Sequence, residues 1–123
     1  MRKRRRIVAV VDDDPSMLRA AENLLDAHGF ATKSYSSAEE FLGIVSKYQI
    51  DCVLLDIHLR GLSGIELRQQ LRSSHPTLPV IFMTALDDDR VRQQALETGC
   101  AACLSKPFPA QQLLDAIEKA CGT

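Results

Sequence analysis

Short apolar runs alternate with amphipathic stretches along almost the whole chain. The apolar runs are rich in Val, Ile and Leu, which predicts strands buried on both faces of a sheet. The stretches between them repeat apolar residues at helical spacing, which predicts amphipathic helices. The predicted strands are 7–11, 31–35, 51–56, 79–85 and 101–105. The predicted helices run from 15 to the break at 28–30, and over 36–48, 65–74, 87–99 and 110–120.

The alternation of strand and helix, repeated five times, predicts an α/β fold. Strands that alternate with helices form a parallel sheet with helices on both faces. Ligands of such open sheets bind at the carboxyl ends of the strands, near the point where the strand order reverses. We therefore expect the functional residues to follow the predicted strands directly.

Length and composition describe one ordinary globular domain. The chain has 123 residues, of which 46% are hydrophobic and 25% are charged, and these values are typical of globular proteins. The longest apolar runs contain about five residues, far fewer than the roughly 20 that a membrane span requires. No apolar segment of a secretion signal follows the basic start. The sequence therefore predicts a cytoplasmic protein without a membrane partner.

The charge of the chain is unevenly distributed. Five of its 15 basic residues stand at 2–6, and the other ten face 16 acidic residues. An acidic body argues against broad nucleic-acid binding by the folded part. We expect 1–6 to be a solvated basic tail and 7–121 to be the folded domain, with contact between the tail and a polyanion as the alternative.

Carboxylate, hydroxyl and amine groups follow four of the five predicted strands. The residues at these ends are Asp12, Asp13, Asp14, Asp56, Thr84, Ala85, Ser105, Lys106 and Pro107. Clustered carboxylates repel one another, and a divalent cation such as Mg²⁺ relieves that repulsion. An aspartate can attack phosphorus, while lysine and threonine can bind phosphate oxygens. The set predicts phosphoryl transfer to a protein carboxylate, and one of the first three aspartates is also expected to cap the following helix.

Four segments together resemble one known family. They are VVDDDPSML, VLLDIHLRGLSGIEL, VIFMTA and LSKPF. In type, order and spacing they resemble the response-regulator receiver domain, the CheY-like fold, from about Arg6 to Ala120. The phrase SYSSAEEFL is similar to the subgroup whose receivers are fused to LuxR-type helix-turn-helix domains. The resemblance implies a flavodoxin-like three-layer α/β sandwich, (βα)5, with a parallel sheet of order 2-1-3-4-5.

The resemblance also implies a role for each residue at the strand ends. Asp56 would be the phosphoacceptor of a two-component system. The implied ligands of Mg²⁺, or Mn²⁺, are Asp12, Asp13, Asp56 and the backbone carbonyl of His58. The implied phosphoryl-binding residues are Thr84, Ala85 and Lys106. Pro107 would form the cis-proline turn that usually follows the lysine.

The partner and the output are implied in the same way. The phosphoryl group would come from a sensor histidine kinase, and the domain would be a signalling phosphoacceptor rather than an enzyme. Its output would be transcription through an effector domain outside these residues, which would supply any contact with nucleic acid. The face of the fourth helix, fifth strand and fifth helix would change on phosphorylation and is a candidate homodimer surface.

Four positions mark departures from the usual family pattern. The switch residues implied are Thr84 and the residue three before the lysine, which is Cys103 where an aromatic is usual. Arg60 replaces a usual proline, so we expect a more mobile loop after Asp56. His58 and Leu86 occupy positions that commonly tune the phosphoryl lifetime, so we expect an altered lifetime.

Three other interpretations of the function remain open from the sequence. One is a receiver-shaped interaction module that is never phosphorylated. Another is a small phosphatase with Asp56 as nucleophile, although His58 stands where such enzymes carry a second aspartate. The third is a thiol redox site at Cys100 and Cys103, whose spacing on a predicted strand points the two thiols to opposite faces. The four cysteines do not indicate a disulfide framework.

Overall fold

Five strands and five helices alternate along the chain, in a computed structural model that describes residues 5–85 and 89–121. The strands are β1 (Ile7–Val11), β2 (Ala31–Tyr35), β3 (Cys52–Asp56), β4 (Val80–Thr84) and β5 (Ala102–Ser105). The helices are α1 (Pro15–Ala27), α2 (Ala38–Ile44), α3 (Gly64–Ser74), α4 (Asp89–Glu97) and α5 (Ala110–Cys121). The predicted α/β alternation is therefore confirmed, and the first two predicted residues of the fourth helix lie outside the described part.

All the strands are parallel, in the order β2-β1-β3-β4-β5, which confirms the implied CheY-like sheet. β1 and β3 are neighbours, and Val11 pairs with Leu55 at their carboxyl ends. Asp12 and Asp56 follow those two residues, so the topology alone places these two carboxylates side by side. The strand order reverses at β1, where ligand sites of open α/β sheets form.

Residues of β1, β3 and β4 alternate between two apolar layers, one on each face of the sheet. The layer beside α1 and α5 contains Val8, Val10, Ala21, Leu25, Cys52, Leu54, Ile81, Met83, Leu104, Leu113 and Ile117. The layer beside α2, α3 and α4 includes Ala9, Val11, Phe41, Val53, Leu55, Leu67, Leu71, Phe82 and Ala95. Burial on both faces explains why these strands read as continuous apolar runs.

Polar side chains fix the starts of three helices. Asp14 caps α1, and its carboxylate accepts a hydrogen bond of 2.9 Å from the backbone N–H of Ser16. This confirms that one of the three consecutive aspartates has a structural role. Ser37 caps α2 by accepting from the backbone N–H of Glu40 at 3.0 Å, and Ser63 caps α3 as part of a capping box. Each cap satisfies backbone donors that a helix start leaves unpaired.

The second helix is shorter than the predicted 36–48. α2 ends at Ile44, and the chain continues as a turn in which the N–H of Lys47 donates to the carbonyl of Ile44 at 2.8 Å. Gly43 lies in the last turn, and glycine lowers helix stability by about 1 kcal/mol relative to alanine. The apolar periodicity continues past this point, so the pattern alone overestimates the length of the helix.

The last strand begins one residue later than predicted, and the two thiols near its start lie on the same side of the sheet. β5 starts at Ala102, so Cys100 precedes it. Cys100 and Cys103 both pack against the layer beside α2, α3 and α4, and the expectation that they point to opposite faces is wrong because strand alternation does not apply to Cys100. Burial raises the pKa of both thiols, which disfavours the reactive thiolate that redox chemistry requires.

The predicted division into a tail at 1–6 and a folded domain at 7–121 stays a prediction, and the first four residues lie outside the described part. Arg5 is exposed, yet its guanidinium donates hydrogen bonds to the carbonyls of Gly29 (3.2 Å) and Phe30 (2.5 Å). This end of the expected tail therefore contacts the domain. In the part of the chain that the structure describes, no helix is long and apolar enough to cross a bilayer.

Candidate functional site

Three predicted site residues meet at the carboxyl edge of the sheet. Asp12 follows β1, Asp56 ends β3 and Lys106 follows β5. The Lys106 ammonium lies 2.8 Å from Oδ2 of Asp12 and 3.5 Å from Oδ2 of Asp56. Asp12 is fully buried and Asp56 is only 6% exposed. A single lysine ammonium therefore forms ion pairs with two buried carboxylates.

A third carboxylate completes an oxygen-rich cluster. Asp12, Asp13 and Asp56 each offer a carboxylate oxygen, and these atoms lie within 4.8 Å of one another. Asp13 is half-buried, so the cluster opens to solvent on its side. Lys106 supplies one positive charge against these three negative charges. A hard divalent cation with carboxylate ligands fits this donor set.

Burial sets the electrostatics of Asp56. It raises the pKa of the carboxyl above its ordinary value, the charge of Lys106 opposes that rise, and the charge of Asp12 adds to it. Burial alone would lower the pKa of Lys106, but its hydrogen bond with Asp12 and the charges of both carboxylates raise it. The lysine therefore stays protonated, while the Asp56 carboxylate is destabilised without a further cation.

A pH dependence of stability follows for the metal-free protein. The folded chain binds a proton at Asp56 more tightly than the unfolded chain, so the ionised carboxylate opposes folding above its raised pKa. We expect the free energy of unfolding to rise as the pH falls through that pKa, and the penalty to vanish below the ordinary value of 3.8. Urea unfolding in chelator at several pH values measures this rise.

The variant Asp56→Asn separates the contribution of Asp56 to this pH dependence of stability from the contributions of the other carboxylates. The variant lacks the buried charge, so it should be more stable than the unmodified chain at neutral pH. The difference between the two proteins should shrink as the pH falls. A difference that stays constant with pH would contradict the raised pKa of Asp56.

The loop after β3 is anchored by backbone donors. The N–H of His58 donates to Oδ1 of Asp56 at 3.1 Å, and the N–H of Arg60 donates to Oδ2 of Asp13 at 3.2 Å. A proline at position 60 could not make the second bond, because proline has no N–H. The arginine therefore adds an anchor where we expected only greater mobility. The carbonyl of His58 as a metal ligand stays a prediction.

Two residues that sequence reasoning missed also shape this loop. The Glu39 carboxylate accepts a hydrogen bond of 2.9 Å from the N–H of Leu62, which lowers the pKa of Glu39. Gly64 lies directly against the backbone below the site, and a Cβ there would stand 2.3 Å from the carbonyl oxygen of Asp56. Glu39 resembles an ordinary residue of a helix start in the sequence. The glycine of the segment GLSG was the available signal for Gly64.

The remaining predicted residues lie on the β4 and β5 side of the site. Thr84 is buried and its carbonyl accepts a hydrogen bond of 2.8 Å from the N–H of Lys106. Ala85, next in the chain, is exposed. The peptide bond between Lys106 and Pro107 is cis. Leu86, expected to influence phosphoryl lifetime, lies outside the described residues.

An arginine that sequence reasoning missed occupies the region of the expected switch. Cys103 is half-buried on β5. Nη1 of Arg92, on α4, donates to Oγ of Ser105 at 3.2 Å and lies 3.9 Å from Sγ of Cys103. A guanidinium from α4 therefore contacts β5 beside the small side chain at position 103.

Comparisons with known proteins agree on one family. A family model described as the response regulator receiver domain matches residues 8–118. Nodulation protein W of Bradyrhizobium diazoefficiens is 38% identical over 111 residues, which are 90% of this chain and 49% of that protein. Transcriptional regulatory protein FixJ of the same organism is 32% identical over 113 residues, which are 92% of this chain and 55% of that protein.

A solved structure gives the same result. A response regulator receiver protein from Burkholderia phymatum has a TM-score of 0.85 and 40% sequence identity to this chain, and the match covers 96% of each. The chain spans about half the length of the curated relatives it matches. The fold, the matched family and the acidic cluster therefore point to the same kind of domain.

Proposed function

The chain belongs to the response regulator receiver family, and on that basis we propose that it accepts a phosphoryl group on Asp56 from a sensor histidine kinase. Domains of this family are signalling domains of two-component systems rather than enzymes. The observation that carries the choice of Asp56 is its position between Lys106, 3.5 Å away, and the neighbouring carboxylates of the cluster. No other carboxylate of that cluster ends a strand.

Mg²⁺, or Mn²⁺, is the cation that we propose for the cluster, with the carboxylates of Asp12, Asp13 and Asp56 and the carbonyl of His58 as ligands. When bound, it supplies positive charge that balances the oxygens of the incoming phosphoryl group. The half-buried position of Asp13 leaves an open side through which a phosphodonor can approach. The donor set supports a hard cation because all its side-chain ligands are carboxylates.

The chain's own residues then have distinct parts in the transfer. The hydrogen bond from the N–H of His58 fixes one oxygen of Asp56. The other oxygen faces Lys106 and attacks phosphorus, and the bond from phosphorus to the imidazole nitrogen of the donor histidine breaks as the acyl phosphate forms. Lys106 holds its charge beside the transferred group, and the hydroxyl of Thr84 and the N–H of Ala85 donate to its oxygens.

Transcription is the output that we propose, through an effector domain that would make any contact with nucleic acid. FixJ, which matches over about half its length, is by name a transcriptional regulator. We place the protein in the cytoplasm with its kinase. We also propose a homodimer through the face of α4, β5 and α5, since Leu96 of α4 is 48% exposed. Sedimentation of the activated protein tests this dimer.

Beryllofluoride, a stable mimic of the phosphoryl group, tests the proposed function. With Mg²⁺ present and the mimic at about a hundred times its Kd, we expect stabilisation of about 2–3 kcal/mol against urea. Asp56→Asn should remove the stabilisation completely. The matched variant Asp115→Asn, at an exposed position on α5, should keep it. A protein that shows no stabilisation would instead be the unphosphorylated interaction module.

We further propose that Arg92 takes over part of the coupling that an aromatic residue provides elsewhere in the family. Lys106, which directly follows β5, bonds to Asp12 of the site and to the carbonyl of Thr84 at the end of β4. Thr84 pairs with Ser105 in the sheet, and Ser105 accepts a hydrogen bond from Arg92 of α4. These contacts form a continuous connection from the proposed phosphoacceptor to α4. Cys103 lies beside it and would act as a switch residue through Arg92.

Arg92→Ala should weaken the response of α4 to activation. Beryllofluoride should change amide exchange in α4 of the unmodified chain, and we expect about a fivefold smaller change in the variant, equivalent to about 1 kcal/mol of coupling. Arg90→Ala removes the same charge from the exposed first turn of α4 and should respond like the unmodified chain. Equal responses of all three proteins would exclude Arg92 from the coupling.

A further inference from the structure

Two cysteines meet at the end of the sheet opposite the acidic cluster. Cys52 begins β3 and Cys121 ends α5. Cys52 is fully buried, and Cys121 is half-buried against the same apolar layer. Sγ of Cys121 lies 4.0 Å from the carbonyl oxygen of Asp51, the residue before Cys52. The fold thus brings together two thiols that are separated by most of the chain.

The two thiols differ in their chemistry. They contact each other, and this contact is the largest influence on the pKa of each. It lowers the pKa of Cys121 to about 7, with help from the positive charge of Arg6 and against burial and the negative charge of Asp51. The contact and burial raise the pKa of Cys52. Cys121 is the more accessible of the two thiols and the charge of Arg6 favours its ionised form, so it ionises more readily than Cys52, which burial keeps protonated.

We propose that Cys52 and Cys121 form a peroxide-sensitive thiol pair that closes to a disulfide, at a site separate from the acidic cluster. The pair meets the structural requirements of such a site. Cys121 is partly accessible, and Cys52 is in contact with it and shielded from solvent. The positive charge of Arg6 stabilises negative charge on the sulfur of Cys121. The proposal rests on this juxtaposition and does not depend on the phosphoryl chemistry of Asp56.

The oxidation proceeds in two balanced steps with hydrogen peroxide as the oxidant. The Cys121 thiolate attacks one peroxide oxygen, the O–O bond breaks, and the departing hydroxide takes up a proton to become water. The resulting sulfenic acid is then attacked by the sulfur of Cys52. The S–S bond forms, the S–O bond breaks, and the proton of Cys52 leaves with the hydroxide as a second water. Both sulfurs are oxidised and both peroxide oxygens are reduced.

The other two cysteines provide an internal comparison. Burial raises the pKa of Cys100 and Cys103, with Arg92 only partly opposing this at Cys103. They contain less thiolate at neutral pH than Cys121 and should react about tenfold more slowly with peroxide. Selectivity for the pair at the end of α5 is therefore a property of the local environment. The C-x-x-C spacing, which first suggested a thiol site, does not identify the reactive pair.

The decisive experiment uses a double variant, Cys100→Ser with Cys103→Ser, in which the only remaining thiols are Cys52 and Cys121. After brief treatment with hydrogen peroxide, remaining thiols are alkylated and the protein is digested and analysed by mass spectrometry. We expect a peptide pair joined through Cys52 and Cys121, with a mass lower by two hydrogen atoms and reversible by dithiothreitol. The unmodified chain should give the same linkage.

Two further variants separate the roles of the sulfurs. Cys121→Ser should abolish the linkage, while Cys52→Ala should accumulate a sulfenic acid at position 121 that dimedone traps. The rate of the first step in the unmodified chain should rise with pH through about 7. Oxidation of position 121 without linkage to Cys52, or a linkage between Cys100 and Cys103 forming first, would overturn the proposal. Because Cys121 is only half-buried, its serine variant tests the proposal even if Cys52→Ala does not fold.

Discussion

Replacing Lys106 by methionine is expected to lower the free energy of unfolding of the metal-free protein by about 2 kcal/mol. The lysine is the cation that balances Asp12 and Asp56, at 2.8 and 3.5 Å. Its side chain is 19% exposed and that of Asp12 is 1% exposed, so water can screen the lost pair only in part. Without the lysine, two buried carboxylates face each other with no positive charge between them, and removal of one partner of such a pair is strongly unfavourable.

Two conditions should recover stability in this variant. Lowering the pH protonates one of the carboxylates, and adding Mg²⁺ supplies the missing charge, so both should raise the midpoint of urea unfolding more in Lys106→Met than in the unmodified chain. Lys119→Met, at an exposed position on α5, should change stability by no more than about 0.5 kcal/mol. If the two methionine variants were equally stable, the pairing of Lys106 with the cluster would not contribute to the fold.

Adding a single methyl group at Gly64 is expected to lower the free energy of unfolding by an amount similar to the loss in Lys106→Met. A Cβ at this position would stand 2.3 Å from the carbonyl oxygen of Asp56 and 2.9 Å from Cα of Ile57. Backbone atoms cannot move aside as a flexible side chain can, so the end of β3 must shift. We expect Gly64→Ala to cost about 3 kcal/mol. The shift displaces the proposed phosphoacceptor, so acceptance of a phosphoryl group should slow by about tenfold or more.

Gly43→Ala is the matched control for this prediction. Gly43 lies in α2, and a Cβ there would meet nothing within 4 Å. Alanine favours helix over glycine, so this variant should gain about 0.5–1 kcal/mol while accepting phosphoryl groups at the normal rate. Urea unfolding and intact-mass time courses with acetyl phosphate measure both quantities. A Gly64→Ala protein of unchanged stability would contradict the close approach of α3 to Asp56.

The sequence predicted the architecture because its central strands are buried on both faces. Runs such as 7–11 and 52–55 contain no polar residue on either face, and a strand of that composition is typical of a sheet covered by helices on both sides. The regular return of amphipathic stretches then requires parallel strands. Helix starts were also readable, since Ser37 and Asp14 bond to backbone groups only two or three residues away.

The positions that were mispredicted depend on features that local patterns do not contain. The end of α2 falls within a continuing apolar periodicity. The side to which Cys100 points is not set by strand alternation either, because Cys100 precedes both the predicted strand 101–105 and β5 itself. Boundaries reflect the balance of many tertiary contacts, which a single segment does not encode.

The acidic cluster was predictable for a topological reason. Residues that follow parallel strands meet at one edge, so Asp12, Asp56 and Lys106 could be placed together without knowledge of any distance. The contacts of Arg60 with Asp13 and of Arg92 with Ser105 were not predictable, and the segment GLSG signals a glycine at position 64 without showing which backbone it approaches. Each joins residues from different elements through a backbone group or a long side chain. Such contacts have no periodic signature in the sequence.

The central claim is that Asp56 is the residue that accepts the phosphoryl group. The protein is incubated with Mg²⁺ and acetyl phosphate, treated with borohydride, which reduces an aspartyl phosphate to homoserine, and then digested for tandem mass spectrometry. We predict homoserine at position 56 in the unmodified chain and in Asp115→Asn, and none in Asp56→Asn. Homoserine at Asp12 or Asp13, or no reduction product at any aspartate, would contradict the assignment.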